Sequence, residues 1–206
     1  MEFGKLLTAM VTPFDEQLRV DWNCTGALID YLIEQQASDG LVIAGTTGES
    51  PTLTDEEKLE LFSFAVKRAN GRAKIIAGTG SNDTEHSIHL TKEAEKLGVD
   101  GIMLVAPYYS RTSQAGLVAH FNAIAAATKL PVMIYNIPSR TGINVEAGTM
   151  LKLAETPNIV AVKESSGDLD QMSAIIAKAP EGFRLYSGDD SLTLPVLSIG
   201  GHGIVS

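Results

Sequence analysis

The sequence predicts an α/β protein of the (β/α)8 class, a TIM barrel, as a single domain over residues 1–206. Three observations carry this reading. Short β-branched runs recur along the chain as continuous apolar segments, as expected of strands covered on both faces in a parallel sheet. Amphipathic helical stretches with start and stop signals lie between them. The first strand candidate then leads into Thr12-Pro13-Phe14-Asp15, without the glycine-rich phosphate turn that usually opens a doubly wound open sheet, the competing architecture.

The strand candidates, in order, are Leu6–Val11, Leu41–Ala44, Lys74–Ala77, Gly101–Ala106, Val132–Tyr135, Ile159–Val162, Phe183–Tyr186 and Gly203–Val205. Helical patterns run over Asp21–Gln36, from Thr54 to Ala69, and over Asp83–Leu97, Ser113–Thr128, Val145–Glu155 and Asp168–Ala179. The second opens on Thr54-Asp55-Glu56-Glu57, a capping box in which the threonine hydroxyl and the glutamate three residues on satisfy each other's free backbone N–H groups. Gly98 stops the third, and Asp189-Asp190 caps the segment before the last strand. Seven strand–helix units and an eighth strand follow, and the chain stops at Ser206 with no residues for the last barrel helix, as in a C-terminally truncated barrel.

Composition narrows the function classes. With 16 Lys plus Arg against 25 Asp plus Glu, the net charge is −9, and 44% of residues are apolar. An acidic chain makes a poor nucleic-acid partner, and the apolar fraction suffices for one buried core. No apolar run approaches the roughly 20 residues of a membrane-spanning helix, and Met1–Lys5 carries no signal-peptide pattern. A cytoplasmic protein without a membrane association is expected. The lone Cys24 reads as a small buried hydrophobe within a helix. His86 and His89 read as a surface pair, and no histidine, cysteine and carboxylate spacing fits a metal.

In a (β/α)8 barrel, residues at the carboxyl ends of the strands and just beyond them face one shared pocket. The unusual residues there are Thr46-Thr47-Gly48-Glu49, Pro107-Tyr108-Tyr109, Tyr135-Asn136, Arg140 and Lys163-Glu164. Lys163 is the sharpest signal. It directly follows Ile159–Val162, and desolvation at that position lowers a lysine pKa, leaving neutral amine able to attack a carbonyl and form a Schiff base. The alternative is a lysine reaching solvent and pairing with Glu164. Tyr135 offers a phenol as acid–base partner or, equally, an aromatic filler of the barrel mouth. Thr46 and Thr47 are donors to a carboxylate, a proton relay or ordinary turn material. Tyr108-Tyr109 serve core packing or a subunit contact. Arg140 is a solvated loop charge or a fork for a carboxylate.

Taken as an ordered set, Gly45-Thr46-Thr47-Gly48-Glu49-Ser50, Ala106-Pro107-Tyr108-Tyr109, Tyr135–Gly142, Val162-Lys163-Glu164, Ser187-Gly188-Asp189-Asp190 and Gly200-Gly201-His202-Gly203 resemble the dihydrodipicolinate synthase (4-hydroxy-tetrahydrodipicolinate synthase) family. It lies within the pyruvate-dependent, Schiff-base-forming lyases and aldolases, whose sister members include N-acetylneuraminate lyase and 2-keto-3-deoxygluconate aldolase. The resemblance implies a lyase of lysine and diaminopimelate biosynthesis that condenses pyruvate with aspartate semialdehyde and needs no added cofactor. It assigns the imine to Lys163 and proton transfer to Tyr135, Thr46 and a Tyr109 reaching in from a neighbouring subunit. The pyruvate carboxylate falls to Thr47 and the semialdehyde carboxylate to Arg140, where sialic acid lyases typically carry an apolar residue. The main chain of Gly188 and Val205 would shape the pocket. A homo-oligomer, commonly a dimer of dimers, is implied, as are further C-terminal helices past Ser206. Lysine-sensitive members carry histidines where Asp55 and Lys58 stand and an acidic residue at His86, so weak or absent inhibition by lysine is expected. A sugar-acid aldolase and an inactive barrel fragment are the alternatives.

Overall fold

The computed structural model describes residues 3–206. Eight parallel strands close into a barrel in chain order: β1 (Leu6–Ala9), β2 (Gly40–Ile43), β3 (Lys74–Gly78), β4 (Gly101–Val105), β5 (Val132–Asn136), β6 (Ile159–Glu164), β7 (Arg184–Ser187) and β8 (Gly203–Val205). The helices are α1 (Trp22–Glu34), α2 (Asp55–Ala69), α3 (Thr84–Lys96), α4 (Gln114–Ala125), a single turn α5 (Pro138–Thr141), α6 (Ala147–Leu153), α7 (Leu169–Lys178) and α8 (Thr193–Ser198). The fold expected from the sequence is therefore the fold observed, with the one-turn α5 added after β5.

Local chemistry sets the helix starts. Thr54 Oγ1 accepts from the Glu57 N–H at 3.2 Å and the Glu57 carboxylate accepts from the Thr54 N–H at 2.8 Å, completing the capping box. Asp21, Asp83, Ser113 and Asp168 each accept from the N–H three residues on. Each such cap is worth about 1 kcal/mol. On α1 the buried stripe is Thr25, Gly26, Ile29 and Leu32. Cys24 falls outside it and is exposed, correcting the buried reading; the neighbouring Asp21 carboxylate accepts a hydrogen bond from the thiol and repels the thiolate, pushing the thiol pKa up.

Strand alternation divides the apolar side chains into two bodies. One set fills the space between sheet and helices, with Leu41, Ile43, Phe62, Phe121 and Ile134 among its members. The other fills the barrel lumen and includes Leu7, Val42, Ile76, Met103, Met133, Tyr135, Tyr186 and Val205. Phe3 belongs to this lumen set, and the Tyr186 hydroxyl donates to the Gly4 carbonyl at 2.9 Å. Closure occurs between β8 and β1, where Leu6 pairs with Ile204 and Leu7 with Val205. A Cβ at Gly203 would lie 2.2 Å from the Lys5 carbonyl oxygen, so the strands meet only because that side chain is absent. The outward-facing Leu6 of β1 is 39% exposed. Among the described residues, no helix is long and apolar enough to cross a membrane and no cluster of three or more His, Cys, Asp or Glu is arranged to hold a metal.

Candidate active site

Tyr135 and Lys163, each the last residue but one of its strand, stand in the same register, and one residue further on Asn136 pairs with Glu164. Because successive side chains alternate across a strand, the first pair faces the lumen and the second faces the helix layer. Lys163 is 5% exposed and Tyr135 4% exposed. The Lys163 Nζ lies 4.3 Å from the centroid of the Tyr135 ring. The expected alternative, an outward lysine paired with Glu164, is not what forms.

The electrostatics suit a nucleophilic amine. Burial, aided by the Arg140 charge and opposed by Asp190, lowers the Lys163 pKa from 10.5 to about 8. Near that pH half of the amine is neutral, whereas an ordinary lysine keeps well under one per cent in that form. Burial raises the Tyr135 pKa, and the Ser165 hydroxyl, the Arg140 charge and the Thr46 hydroxyl partly offset it. The phenol therefore stays protonated at neutral pH and is available as a proton donor. Room for the lysine stem comes from Gly188: a Cβ there would lie 2.0 Å from Ser165 Oγ and 3.0 Å from Lys163 Cγ and Cε.

A cavity of about 870 Å³ opens above this pair, and its wall includes Thr46, Tyr108, Tyr109, Tyr135 and Arg140. Lys163 and Gly188 lie one contact behind the wall, against Tyr135 and against each other. Thr47 is exposed in the turn beside Thr46, outside the wall residues, and Val205 is fully buried in the lumen cluster that also holds Tyr135. Arg140 is exposed on α5. Tyr109 is 91% exposed and holds φ at +73°, a left-handed conformation costly for an aromatic residue and found where surrounding structure imposes it; its N–H donates to the Thr141 carbonyl at 3.3 Å.

At the far flank of the cavity, His86 Nε2 bonds Asp55 Oδ2 at 2.8 Å and Lys58 Nζ approaches Asp55 Oδ1 at 3.5 Å. Burial pushes the Asp55 carboxyl up, but His86 and Lys58 outweigh it and hold the pKa below the ordinary value. His86 is thus half-buried and paired, not part of a surface pair with the exposed His89.

Sequence reasoning singled out Asn136 and Glu164 only as strand-end residues and missed Asn144, Ser165 and Gln171. Glu164 is fully buried and accepts hydrogen bonds from Asn136 Nδ2 at 2.9 Å, the Ser166 N–H at 2.9 Å and Gln171 Nε2 at 3.2 Å. Burial raises its pKa, and those donors counter it. The available signal was a carboxylate at an outward strand position that a helix must cover.

The model of the dihydrodipicolinate synthetase family matches residues 2–206. The 4-hydroxy-tetrahydrodipicolinate synthase of Moorella thermoacetica is 60% identical over all of this chain and 70% of its own. That of Bacillus subtilis is 57% identical over 100% of this chain and 71% of its own. Among solved structures, a dihydrodipicolinate synthase from Bacillus anthracis superimposes with a TM-score of 0.98 at 50% identity, covering 100% of this chain and 70% of that one. The Aquifex aeolicus enzyme gives a TM-score of 0.96 at 47% identity over 99% of this chain and 69% of that one. The chain thus spans about 70% of the length of these relatives. A closed eight-stranded barrel with a buried lysine facing a tyrosine, and relatives this similar along its whole length, lead to one conclusion: the chain belongs to the dihydrodipicolinate synthetase family.

Proposed function

We infer that the protein is a lyase that condenses pyruvate with aspartate semialdehyde to 4-hydroxy-tetrahydrodipicolinate in lysine biosynthesis. One observation carries the chemistry: an amine buried at a strand end, its pKa lowered to about 8, held against a buried phenol. Neutral Lys163 attacks the keto carbon of pyruvate, and loss of the keto oxygen as water leaves a carbon–nitrogen double bond. Removal of a methyl proton turns this into an enamine. The enamine carbon then bonds to the aldehyde carbon of the semialdehyde, whose oxygen takes up a proton. Attack of the semialdehyde amine on the imine carbon closes the ring and releases Lys163.

Tyr135 supplies and removes the protons at the imine, with Thr46 beside it; the effect of the Thr46 hydroxyl on the Tyr135 pKa supports this pairing. Thr47 takes the pyruvate carboxylate. Arg140 binds the semialdehyde carboxylate with its forked guanidinium, at the wall of the same cavity. Gly188 and Val205 shape the pocket, Gly188 by leaving space for the lysine.

Tyr109 belongs to the site of a neighbouring copy in a homo-oligomer, a dimer of dimers. Its 91% exposure and imposed left-handed backbone support that reading, since both present a phenol outward from this chain. Borohydride reduction in the presence of pyruvate tests the central assignment. The expected result is a covalent pyruvate-derived mass on the peptide carrying Lys163; absence of any adduct, or an adduct elsewhere, overturns it.

A further inference from the structure

Outside the lumen, the barrel carries a buried polar network directly behind the reacting pair. Asn136 Nδ2 donates to Glu164 and, at 2.8 Å, to Asn144 Oδ1, while Asn136 Oδ1 accepts from the Val145 N–H at 2.9 Å. Asn144 Nδ2 donates to Gln171 Oε1 at 2.8 Å, and Gln171 Nε2 returns to Glu164. The network therefore ties β5 and β6 to each other, to α7 and to the segment before α6. Asn136 and Glu164 are both 0% exposed. The donors to the Glu164 carboxylate, Asn136, the Ser166 N–H and Gln171, are all neutral. A register slip between the strands would strand a buried carboxylate without its donors, at a cost well above that of one ordinary hydrogen bond.

Asn136 and Glu164 form the rung next to Tyr135 and Lys163, so whatever fixes the outer rung also fixes the inner one. We propose that Glu164, through Asn136, is a positioning residue: the outward pair clamps the ends of β5 and β6 so that the Lys163 amine stays against the Tyr135 ring during imine formation. This rests on the imine assignment made above. Neither residue touches substrate. Their effect is geometric, and a misplacement of about 1 Å between reacting groups is enough to slow a reaction by about 100-fold.

The test is the rate of borohydride-trapped pyruvate adduct in Glu164→Gln, Asn136→Asp and the double variant. Each single change sets like against like, donor facing donor or carboxylate facing carboxylate; together they restore a donor–acceptor pair with the roles exchanged. Each folded single variant is expected to trap about 10- to 100-fold more slowly, with a displaced pH midpoint, and the double variant to recover most of the rate. A folded Glu164→Gln with the wild-type rate and pH profile overturns the clamp, as does a folded double variant no faster than the slower single. If both single variants fail to fold, Gln171→Ala, at a half-buried helix position, decides: slowed trapping supports the clamp and a wild-type rate overturns it. Absence of adduct in the wild type overturns the lysine assignment itself, and the clamp with it.

Discussion

Lys163 holds its amine 4.3 Å from the centre of the Tyr135 ring, and the two opposing consequences of that placement differ in size. A cation over an aromatic face gains about 0.5–2 kcal/mol, favouring the charged amine. Burial disfavours it, and burial wins: the fall from 10.5 to about 8 corresponds to roughly 3 kcal/mol at about 1.4 kcal/mol per pH unit. The site thus spends folding stability to obtain a nucleophile.

The pH dependence of trapping follows. Because the neutral amine is the attacking form, the adduct rate is expected to rise through a midpoint near pH 8 and to level off above it. Arg140→Met removes a charge that lowers the Lys163 pKa, so the midpoint moves to higher pH. Condensation with aspartate semialdehyde falls by orders of magnitude while trapping persists. An unmoved midpoint in rapid-quench mass spectrometry contradicts the electrostatic account.

Lys163→Met abolishes the adduct and stabilises the fold. The folded-state pKa lies below the unfolded one, so the penalty for the charged amine is full below about pH 8 and vanishes as the pH approaches 10.5. At pH 7 the variant is expected to gain about 1–3 kcal/mol over the wild type, an advantage that shrinks above pH 8. Denaturant titrations at pH 7 and pH 10 check both the size and the sign.

Gly188→Ala places a methyl 2.0 Å from Ser165 Oγ and 3.0 Å from the Lys163 stem. The overpacking costs about 1–3 kcal/mol and displaces the lysine, so adduct formation slows at temperatures where the variant remains folded. Circular dichroism melting together with trapping separates the two effects.

Tyr109→Phe removes only a hydroxyl from a side chain that is 91% exposed. Thermal stability is expected to stay within about 0.5 kcal/mol of the wild type and pyruvate still forms its adduct, while steady-state turnover falls about 10- to 100-fold through loss of one proton-relay member. Wild-type turnover removes Tyr109 from the relay.

The Asp55 carboxylate already holds His86 at 2.8 Å and Lys58 at 3.5 Å, so it is not free for another ammonium group. Sub-millimolar lysine is expected to leave condensation unchanged in a steady-state assay; half-inhibition in that range overturns this.

Local rules made the barrel legible. Continuous apolar strands and capped helices needed only near neighbours in sequence: the Thr54–Glu57 capping box and the strand-end positions of Tyr135 and Lys163 appear where the pattern placed them. Exposure was less legible. Cys24 lies just off the buried stripe of α1, a phase difference of one position that periodicity alone did not resolve. His86 is matched to Asp55 across 31 residues of sequence.

By itself, then, the chain's order of residues determined a (β/α)8 architecture, the end of the barrel where chemistry gathers and the motif set of its family, because strand alternation and helix capping act over a few residues. Only tertiary structure decided that Lys163 is dry enough to titrate near 8, that Gly188 makes room for it and that Asn136 binds Glu164. Those properties depend on strands 20 or more residues apart in sequence coming into register, and desolvation and hydrogen-bond pairing exist only once they have.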